Sequence, residues 1–178
     1  MTPEELKSLI RTVPDYPKEG ILFRDITTLL ADGRGLTAAV ENIARRANAV
    51  GAGAIAGLEA RGFIFGAAVA SLLMLGFVPV RKAGKLPVPT IGVDYALEYG
   101  EARLEIDPSL IQPGERIIIV DDLIATGGTA LAAAQLLRQA GAVVDRALFV
   151  IDLPDLGGAQ LLRENGIAVE ALMEFEGH

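Results

Sequence analysis

The feature that most constrains the fold is the run Arg116-Ile117-Ile118-Ile119-Val120, the strongest strand signal in the chain. A strand without polar alternation is typical of the centre of a parallel sheet, because helices cover both of its faces. Shorter apolar stretches at 54–58, 77–81, 143–151 and 168–173 predict further strands, and helical patterns separate them. This alternation predicts an α/β fold with a central, mostly parallel sheet flanked by helices.

Length and composition favour a single domain of this class over residues 1–178. The chain has 178 residues, 51% of them hydrophobic but only 5% aromatic, so the core must be built mainly from Ala, Val, Ile and Leu. At the N-terminus, Thr2-Pro3-Glu4-Glu5 predicts a short helix to about Arg11, and prolines then predict an ordered loop over 13–24. Two extended stretches around Glu98-Tyr99-Gly100-Glu101 predict a mobile hairpin arm at about 95–103.

Several functional classes are excluded by composition. The formal net charge of −7 argues against a nucleic-acid partner bound through general surface charge. The chain has no cysteine, and its one histidine is His178, so thiolate chemistry, a Ser-His-Asp triad and a two-histidine metal site are excluded. The N-terminus lacks a secretory pattern, and the apolar stretch 63–80 is interrupted by glycine, serine and proline, so we expect a cytoplasmic protein with no membrane partner.

The segment that follows the central strand, Asp121 to Thr129, has the residues of a phosphate site. Gly127 and Gly128 allow backbone N–H groups to approach an anion, Thr126 and Thr129 add hydroxyl donors, and a helix N-terminus follows. Two carboxylates would repel a phosphate, so their expected partners are sugar hydroxyls or a Mg²⁺ ion. The alternative is a strand end followed by an ordinary helix cap, which explains the two acids alone better than it explains the whole segment.

Two other glycine-containing segments do not support nucleotide binding. The segment 51–57 resembles a dinucleotide fingerprint, but it leads into a strand instead of joining a strand to a helix. Gly84-Lys85 lacks the upstream glycine and the following hydroxyl of a Walker A loop. Neither segment therefore adds a nucleotide site to the phosphate site predicted over 121–129.

The string from Ile117 to Thr129 resembles the phosphoribosyl-pyrophosphate motif of the type I phosphoribosyltransferases. Segments 14–26, 57–66 and 81–87, together with Leu97-Glu98-Tyr99-Gly100, resemble the adenine branch of that family. The resemblance covers nearly the whole chain in order. It implies the type I fold with a small N-terminal hood, mainly residues 1–35, and the conversion of adenine and phosphoribosyl pyrophosphate to AMP and pyrophosphate in purine salvage, with Mg²⁺ carried mainly by the substrate.

The resemblance also implies roles for individual residues. The 5′-phosphate is expected on Ala125, Thr126, Gly127, Gly128 and Thr129, with Asp121 and Asp122 facing the ribose hydroxyls. Pyrophosphate is expected beside Glu59, Ala60, Arg61, Gly62, Lys82 and Lys85. Carboxylates would then lie where the sugar becomes cationic, and basic groups where the leaving group becomes anionic.

For the base, the resemblance implies that Phe23 stacks on adenine, that backbone groups of Leu22 and Arg24 bond its edge, and that Leu153 covers its other face. Glu98 on the arm would assist proton removal, Tyr99 would help to exclude water, and Arg61 would complete the catalytic set. One departure is Ala83, where the family often has a third basic residue.

Family members are typically homodimers, and the predicted helix 63–75 offers an interface. Two alternatives stay open: a phosphoribosyltransferase for another base such as xanthine or orotate, which would differ in the base-binding loop, and a regulator that senses phosphoribosyl pyrophosphate without catalysis. The lack of a recognisable DNA-binding segment in the sequence weighs against the regulator.

Overall fold

The computed structural model describes residues 1–97 and 99–177 and has an α/β architecture. In chain order the elements are α1 (Pro3–Ser8), β1 (Arg11–Pro14), β2 (Leu22–Asp25), α2 (Thr27–Leu30), α3 (Gly33–Ala49), β3 (Ala54–Leu58), α4 (Arg61–Leu72), β4 (Gly76–Lys82), β5 (Ile91–Ala96), β6 (Glu101–Ile106), β7 (Ile117–Ile124), α5 (Gly128–Gln139), β8 (Arg146–Asp152), α6 (Gly158–Glu164) and β9 (Ala168–Glu174). Short 3₁₀ turns follow β6 and β8.

The main sheet has seven strands in the order β5-β6-β4-β3-β7-β8-β9. The five strands from β4 to β9 are parallel, and β6 and β5 add an antiparallel hairpin at the β4 edge. This confirms the predicted mostly parallel sheet. The hairpin occupies the region where the arm was predicted, although arm movement itself stays a prediction.

Two apolar cores cover the two faces of the sheet, as expected for central strands without polar alternation. On one face, Ala and Leu side chains of α5 pack against β3, β7 and β8 around Phe149. On the other face, α3 and α4 pack against the sheet around Phe65, and the N-terminal segment adds Leu29. All five residues of β3 are buried, as are the first four of β7.

The pairing of β3 with β7 determines where a ligand can bind. These strands are parallel neighbours, with Gly57 opposite Val120. Their carboxyl ends therefore reach the same edge of the sheet, where ligands of open α/β sheets bind. The segments beginning at Glu59 and at Asp121 consequently lie side by side.

The N-terminal segment differs from the prediction in two ways. The first helix ends at Ser8, because Arg11 pairs with Asp25 in a two-stranded antiparallel sheet of β1 and β2. Part of the predicted loop over 13–24 is therefore strand, with Val13 opposite Phe23. Within the described part of the chain, no helix is long and apolar enough to cross a membrane.

Candidate active site

The loop Ala125–Thr129 joins β7 to α5 and is fixed by the start of α6. Gly127 has φ +84°, and a Cβ atom there would lie 2.8 Å from the carbonyl oxygen of Gly158. The Gly158 N–H donates to the Ala125 carbonyl oxygen at 2.9 Å. The first N–H groups of α5 have no partner inside the helix and carry its positive end. The loop thus presents backbone amides, with the hydroxyls of Thr126 and Thr129 beside them, in an arrangement that suits an anion.

The two carboxyl groups ahead of this loop lie close together. The Asp122 N–H donates to Asp121 Oδ1 at 2.8 Å, and Asp122 is only 5% exposed. Burial, followed by the neighbouring charge of Asp122, raises the pKa of Asp121 to about 9. Asp121 is therefore protonated at neutral pH and can donate a hydrogen bond, which an ionised carboxylate cannot do.

Arg61 at the start of α4 contacts the second aspartate. Its Nε lies 2.6 Å from Asp122 Oδ2, while 55% of the arginine side chain stays exposed. The preceding Glu59–Ala60 peptide bond is cis. Gly62 packs directly on the first aspartate, since a Cβ there would lie 2.8 Å from Asp121 Oδ1. The start of α4 and the end of β7 therefore form one charged wall.

Glu59 organises the basic loop, which we define as residues 81–85. Its carboxylate accepts hydrogen bonds from Lys85 Nζ at 2.7 Å, from the Lys82 N–H at 2.6 Å and from Arg81 Nε at 3.2 Å. Burial of this group acts to raise its pKa, but the hydrogen bonds from Lys85, Lys82 and Arg81 outweigh it and lower the pKa of Glu59 to about 2. Glu59 is thus a fixed anion that holds the basic loop in place. Ala83 contributes only its backbone, with its N–H donating to the Arg103 carbonyl.

A cavity of about 470 Å³ opens at this edge of the sheet. The predicted residues that line it are Glu59, Arg61, Lys82, Asp121, Asp122, Ala125, Thr126, Gly127, Gly128 and Thr129. The hairpin adds Tyr95, which the sequence analysis did not identify and whose hydroxyl accepts from Thr129 Oγ1 at 3.4 Å. Its position at the start of the predicted arm, about 95–103, is the signal in the sequence that points to it.

Other predicted residues lie outside this cavity. Lys85 is held on Glu59, while Ala60 and Gly62 lie at the N-terminus of α4. Tyr99 is 80% exposed, and Glu98 lies outside the described residues.

The residues predicted to bind the base fall in two places. Leu22, Phe23 and Arg24 form β2, where the Phe23 ring meets Tyr16 edge to face at 5.1 Å between ring centres. Leu153 is buried next to the end of β7, with its N–H donating to the Ile124 carbonyl at 3.0 Å. Because β2 and the segment with Leu153 are distant in sequence, the separation between them in the folded chain determines whether one ligand can contact both.

The oxygen atoms of the site suit Mg²⁺ that arrives on a substrate. In the segments 1–97 and 99–177, no three His, Cys, Asp or Glu side chains are grouped closely enough to hold a metal ion. Asp121, Asp122 and Glu59 bring carboxyl oxygens to the cavity, and those of Glu59 already accept hydrogen bonds from Lys85, Lys82 and Arg81. Mg²⁺ prefers oxygen ligands and commonly keeps water and phosphate in its coordination shell, so this donor set fits a substrate-borne ion better than a resident one.

Comparison with known proteins gives consistent results. The phosphoribosyl transferase domain family matches residues 26–158. Adenine phosphoribosyltransferase of Novosphingobium aromaticivorans is 68% identical over 178 residues, covering 100% of both chains. The crystal structure of adenine phosphoribosyltransferase from Thermoanaerobacter pseudethanolicus superposes with a TM-score of 0.93 at 45% identity, covering 98% of this chain and 100% of that one. The Saccharomyces cerevisiae enzyme, crystallised with an imino-altritol bisphosphate and adenine, has a TM-score of 0.91 at 38% identity, covering 96% of this chain and 98% of that one.

Proposed function

Since this chain belongs to the phosphoribosyl transferase family and has the function of an adenine phosphoribosyltransferase, we propose that its cleft residues carry the transfer as follows. Adenine and phosphoribosyl pyrophosphate give AMP and pyrophosphate, a reaction of purine salvage. The observation that supports this assignment most is the meeting of three features at one cavity: the aspartates in the second half of β7, the N-terminus of α5, and Arg61 at the N-terminus of α4.

The 5′-phosphate binds in the loop Ala125–Thr129. Backbone N–H groups of Gly127 and Gly128 and the hydroxyls of Thr126 and Thr129 donate to its oxygens, and the positive end of α5 stabilises its charge. The Gly158 contact with Ala125 keeps the loop in this conformation before substrate arrives, so little ordering is needed on binding.

The ribose and the pyrophosphate bind on the charged wall. Protonated Asp121 donates to one ribose hydroxyl, while Asp122 accepts from another and stabilises positive charge developing at the ribose C1. Arg61 and Lys82 lie where the departing pyrophosphate gains negative charge, and Lys85 adds a third cation held by Glu59. When bound, Mg²⁺ neutralises part of the pyrophosphate charge.

Adenine binds between β2 and the segment that follows β8. Phe23 stacks on one face, Leu153 covers the other, and backbone groups of Leu22 and Arg24 bond the edge of the base. As N9 of adenine forms its bond to the ribose C1, the bond from C1 to the pyrophosphate oxygen breaks, and Glu98 accepts the proton from the base. Tyr99 helps to exclude water, which would otherwise compete for the sugar.

The protein is further proposed to act in the cytoplasm as a homodimer that contacts its partner through α4. Apolar side chains exposed on and just after that helix support this surface: Ile64, Leu72 and Met74.

The test of the function is product formation from each base in turn. The protein is incubated with phosphoribosyl pyrophosphate, Mg²⁺ and adenine, xanthine or orotate, and nucleotides are separated by chromatography. We expect AMP from adenine and at least about 100-fold slower product formation from the other two bases, since a site built to pair with one base edge leaves polar groups unpaired with another. A nucleotide formed preferentially from xanthine or orotate would reassign the base. Binding of phosphoribosyl pyrophosphate without any product would identify a sensing regulator.

A further inference from the structure

The C-terminal tail, defined as residues 175–177, is bonded to the segment that follows β8. The Phe175 N–H donates to the Asp152 carbonyl oxygen at 3.1 Å. The Gly177 N–H donates to Asp155 Oδ2 at 2.7 Å. These two bonds lie on either side of Leu153 in sequence, so the tail follows the segment that carries this residue.

The same tail is bonded to the N-terminal segment through Arg24. The guanidinium carbon of Arg24 lies 4.5 Å from the centre of the Phe175 ring, and Arg24 Nη2 donates to the Glu176 carbonyl oxygen at 3.1 Å. Lys7 Nζ lies 4.6 Å from the centre of the same ring. Two cations from the N-terminal segment therefore rest on one aromatic side chain of the tail.

Arg24 is also fixed on its own sheet. Its Nη1 donates to Thr12 Oγ1 at 2.6 Å, and Thr12 is the β1 residue opposite Arg24 in the pairing of β1 with β2. A displacement of the Arg24 side chain would therefore be transmitted to the backbone of β2, which carries Leu22 and Phe23.

We infer that the tail holds the two sides of the base site at a fixed separation, and that Phe175 is a positioning residue for adenine. One side is β2 with Leu22, Phe23 and Arg24, and the other is the segment with Leu153. This inference rests on the proposed placement of adenine between them. Phe175 does not touch the base; it acts through Arg24.

The effect of Phe175 should be specific to the base. The 5′-phosphate loop and the basic loop are held by Gly158 and Glu59, neither of which contacts the tail through any bond described above. Loss of the Phe175 ring should therefore weaken adenine binding and leave the binding of phosphoribosyl pyrophosphate unchanged.

The experiment measures steady-state kinetics of the full-length protein for both substrates. For Phe175→Ala we expect a rise of roughly fivefold to twentyfold in KM for adenine, the size of one partly desolvated cation–π contact. The KM for phosphoribosyl pyrophosphate should stay within about twofold of the wild-type value. Phe175→Leu, which keeps apolar burial but removes the ring, should show the same split if Phe175→Ala fails to fold.

Two further variants separate positioning from general stability. Phe175→Tyr retains an aromatic face for Arg24 and should restore the KM for adenine to within about twofold of wild type. Glu176→Ala is the matched control, because Arg24 bonds the backbone carbonyl of this residue and not its side chain. It should leave both KM values unchanged.

The outcomes for the inference and for the proposed function are distinguishable. If the wild type forms AMP and Phe175→Leu leaves the KM for adenine unchanged, or raises both KM values equally, the tail does not position the base and the reaction assignment stands. If the wild type forms no AMP from adenine, the proposed function fails and this inference fails with it.

Discussion

Asp121 and Glu59 lie at one cavity, yet their surroundings give them opposite protonation behaviour. Asp121 is flanked by a second carboxyl group, and its pKa is raised by burial and by the charge of Asp122. Glu59 is also largely buried, but Lys85, the Lys82 amide and Arg81 all donate to it and lower its pKa. Burial and a neighbouring carboxyl group therefore raise the pKa of Asp121, whereas at Glu59 the hydrogen-bond donors outweigh the effect of burial.

The raised pKa of Asp121 predicts that the protein loses stability as pH rises. A carboxyl group with a pKa near 3.8 in the unfolded chain and about 9 in the folded one binds more protons when folded, so its contribution falls between about pH 4 and pH 9. Asp121→Asn removes this titration. We expect its melting temperature to exceed that of wild type by about 3 °C or more at pH 8, with a smaller difference at pH 5.

Thermal denaturation followed by circular dichroism at both pH values measures this difference. Glu41→Gln, at an exposed carboxylate on α3, controls for the removal of one negative charge. An Asp121→Asn variant that gains no more at pH 8 than at pH 5 would contradict the assignment of a protonated Asp121.

The proposed role of Glu98 predicts a loss of turnover when its carboxylate is removed. Glu98→Ala should lower kcat by about 100-fold or more, in the range observed for a general base, while the KM values change little. The matched control is Glu101→Ala, which removes an exposed carboxylate three residues further along the sequence, at the start of β6. Unchanged kcat in Glu98→Ala would show that another group takes the proton from adenine.

At the scale of elements, sequence patterns predicted those parts of the fold that local chemistry determines. The helix after Gly127 was predicted nearly to the residue, because a glycine-opened helix is visible in the sequence. The start of the apolar strand was also predicted, but the strand continues past Val120 to Ile124. The pairing of β1 with β2 was not predicted. Pro14 indicates a loop, and only contact with Leu22, distant in sequence, makes it part of a strand.

The candidate site, like the fold, was predicted only in part from the sequence. The residues from Asp121 to Thr129 were predicted as one group because they are contiguous. The bond of Arg61 to Asp122 and the presence of Tyr95 at the cavity depend on the packing of α4 and β5 against β7 and α5, which no local pattern encodes.

The hairpin of β5 and β6 is connected to the basic loop through Glu105. Glu105 Oε1 accepts from the Gly84 N–H at 2.9 Å, and Oε2 accepts from Arg103 Nε at 3.1 Å. The Arg103 guanidinium lies directly over Gly92, where any Cβ would overlap it. One carboxylate thus joins the loop that carries Lys82 to both strands of the hairpin.

This connection predicts that Glu105→Gln weakens pyrophosphate-side binding. The amide loses the charge that attracts Arg103, and the basic loop loses part of its support, so the KM for phosphoribosyl pyrophosphate should rise about threefold to tenfold while the KM for adenine stays unchanged. Steady-state kinetics with each substrate varied gives both values. Asp94→Asn, which removes the other and 64% exposed partner of Arg103, is the matched control and should change neither. If Asp94→Asn raised the KM for phosphoribosyl pyrophosphate as much as Glu105→Gln does, the effect would come from the lost ion pair of Arg103 and not from the contact of Glu105 with Gly84.

At the scale of the whole molecule, the net charge of −7 says little about the substrate, because charge acts locally. Cations in and beside the cavity are paired in advance: Arg61 with Asp122, and Arg81 and Lys85 with Glu59. These pairs hold the basic groups in position on an acidic protein, and the exposed part of each cation is available to a phosphate. The absence of cysteine and of any histidine before His178 is more informative, since it leaves carboxyl groups, backbone amides and basic side chains as the protein groups available for the chemistry.

The proposed homodimer makes the last prediction, which concerns the face of α4. Leu72 is 55% exposed and Met74, just beyond the helix, is 93% exposed, an arrangement of apolar side chains typical of a contact surface. Light scattering of the purified chain at micromolar concentration should give twice the mass of one chain.

Leu72→Asp should raise the dimer dissociation constant by about tenfold to 100-fold and give a monomer fraction, because it places a charge in an apolar contact. Leu110→Asp, at a 48% exposed leucine after β6, should leave the dimer intact. A monomeric wild type would refute the dimer, and a dimer insensitive to Leu72→Asp would show that it forms through another surface.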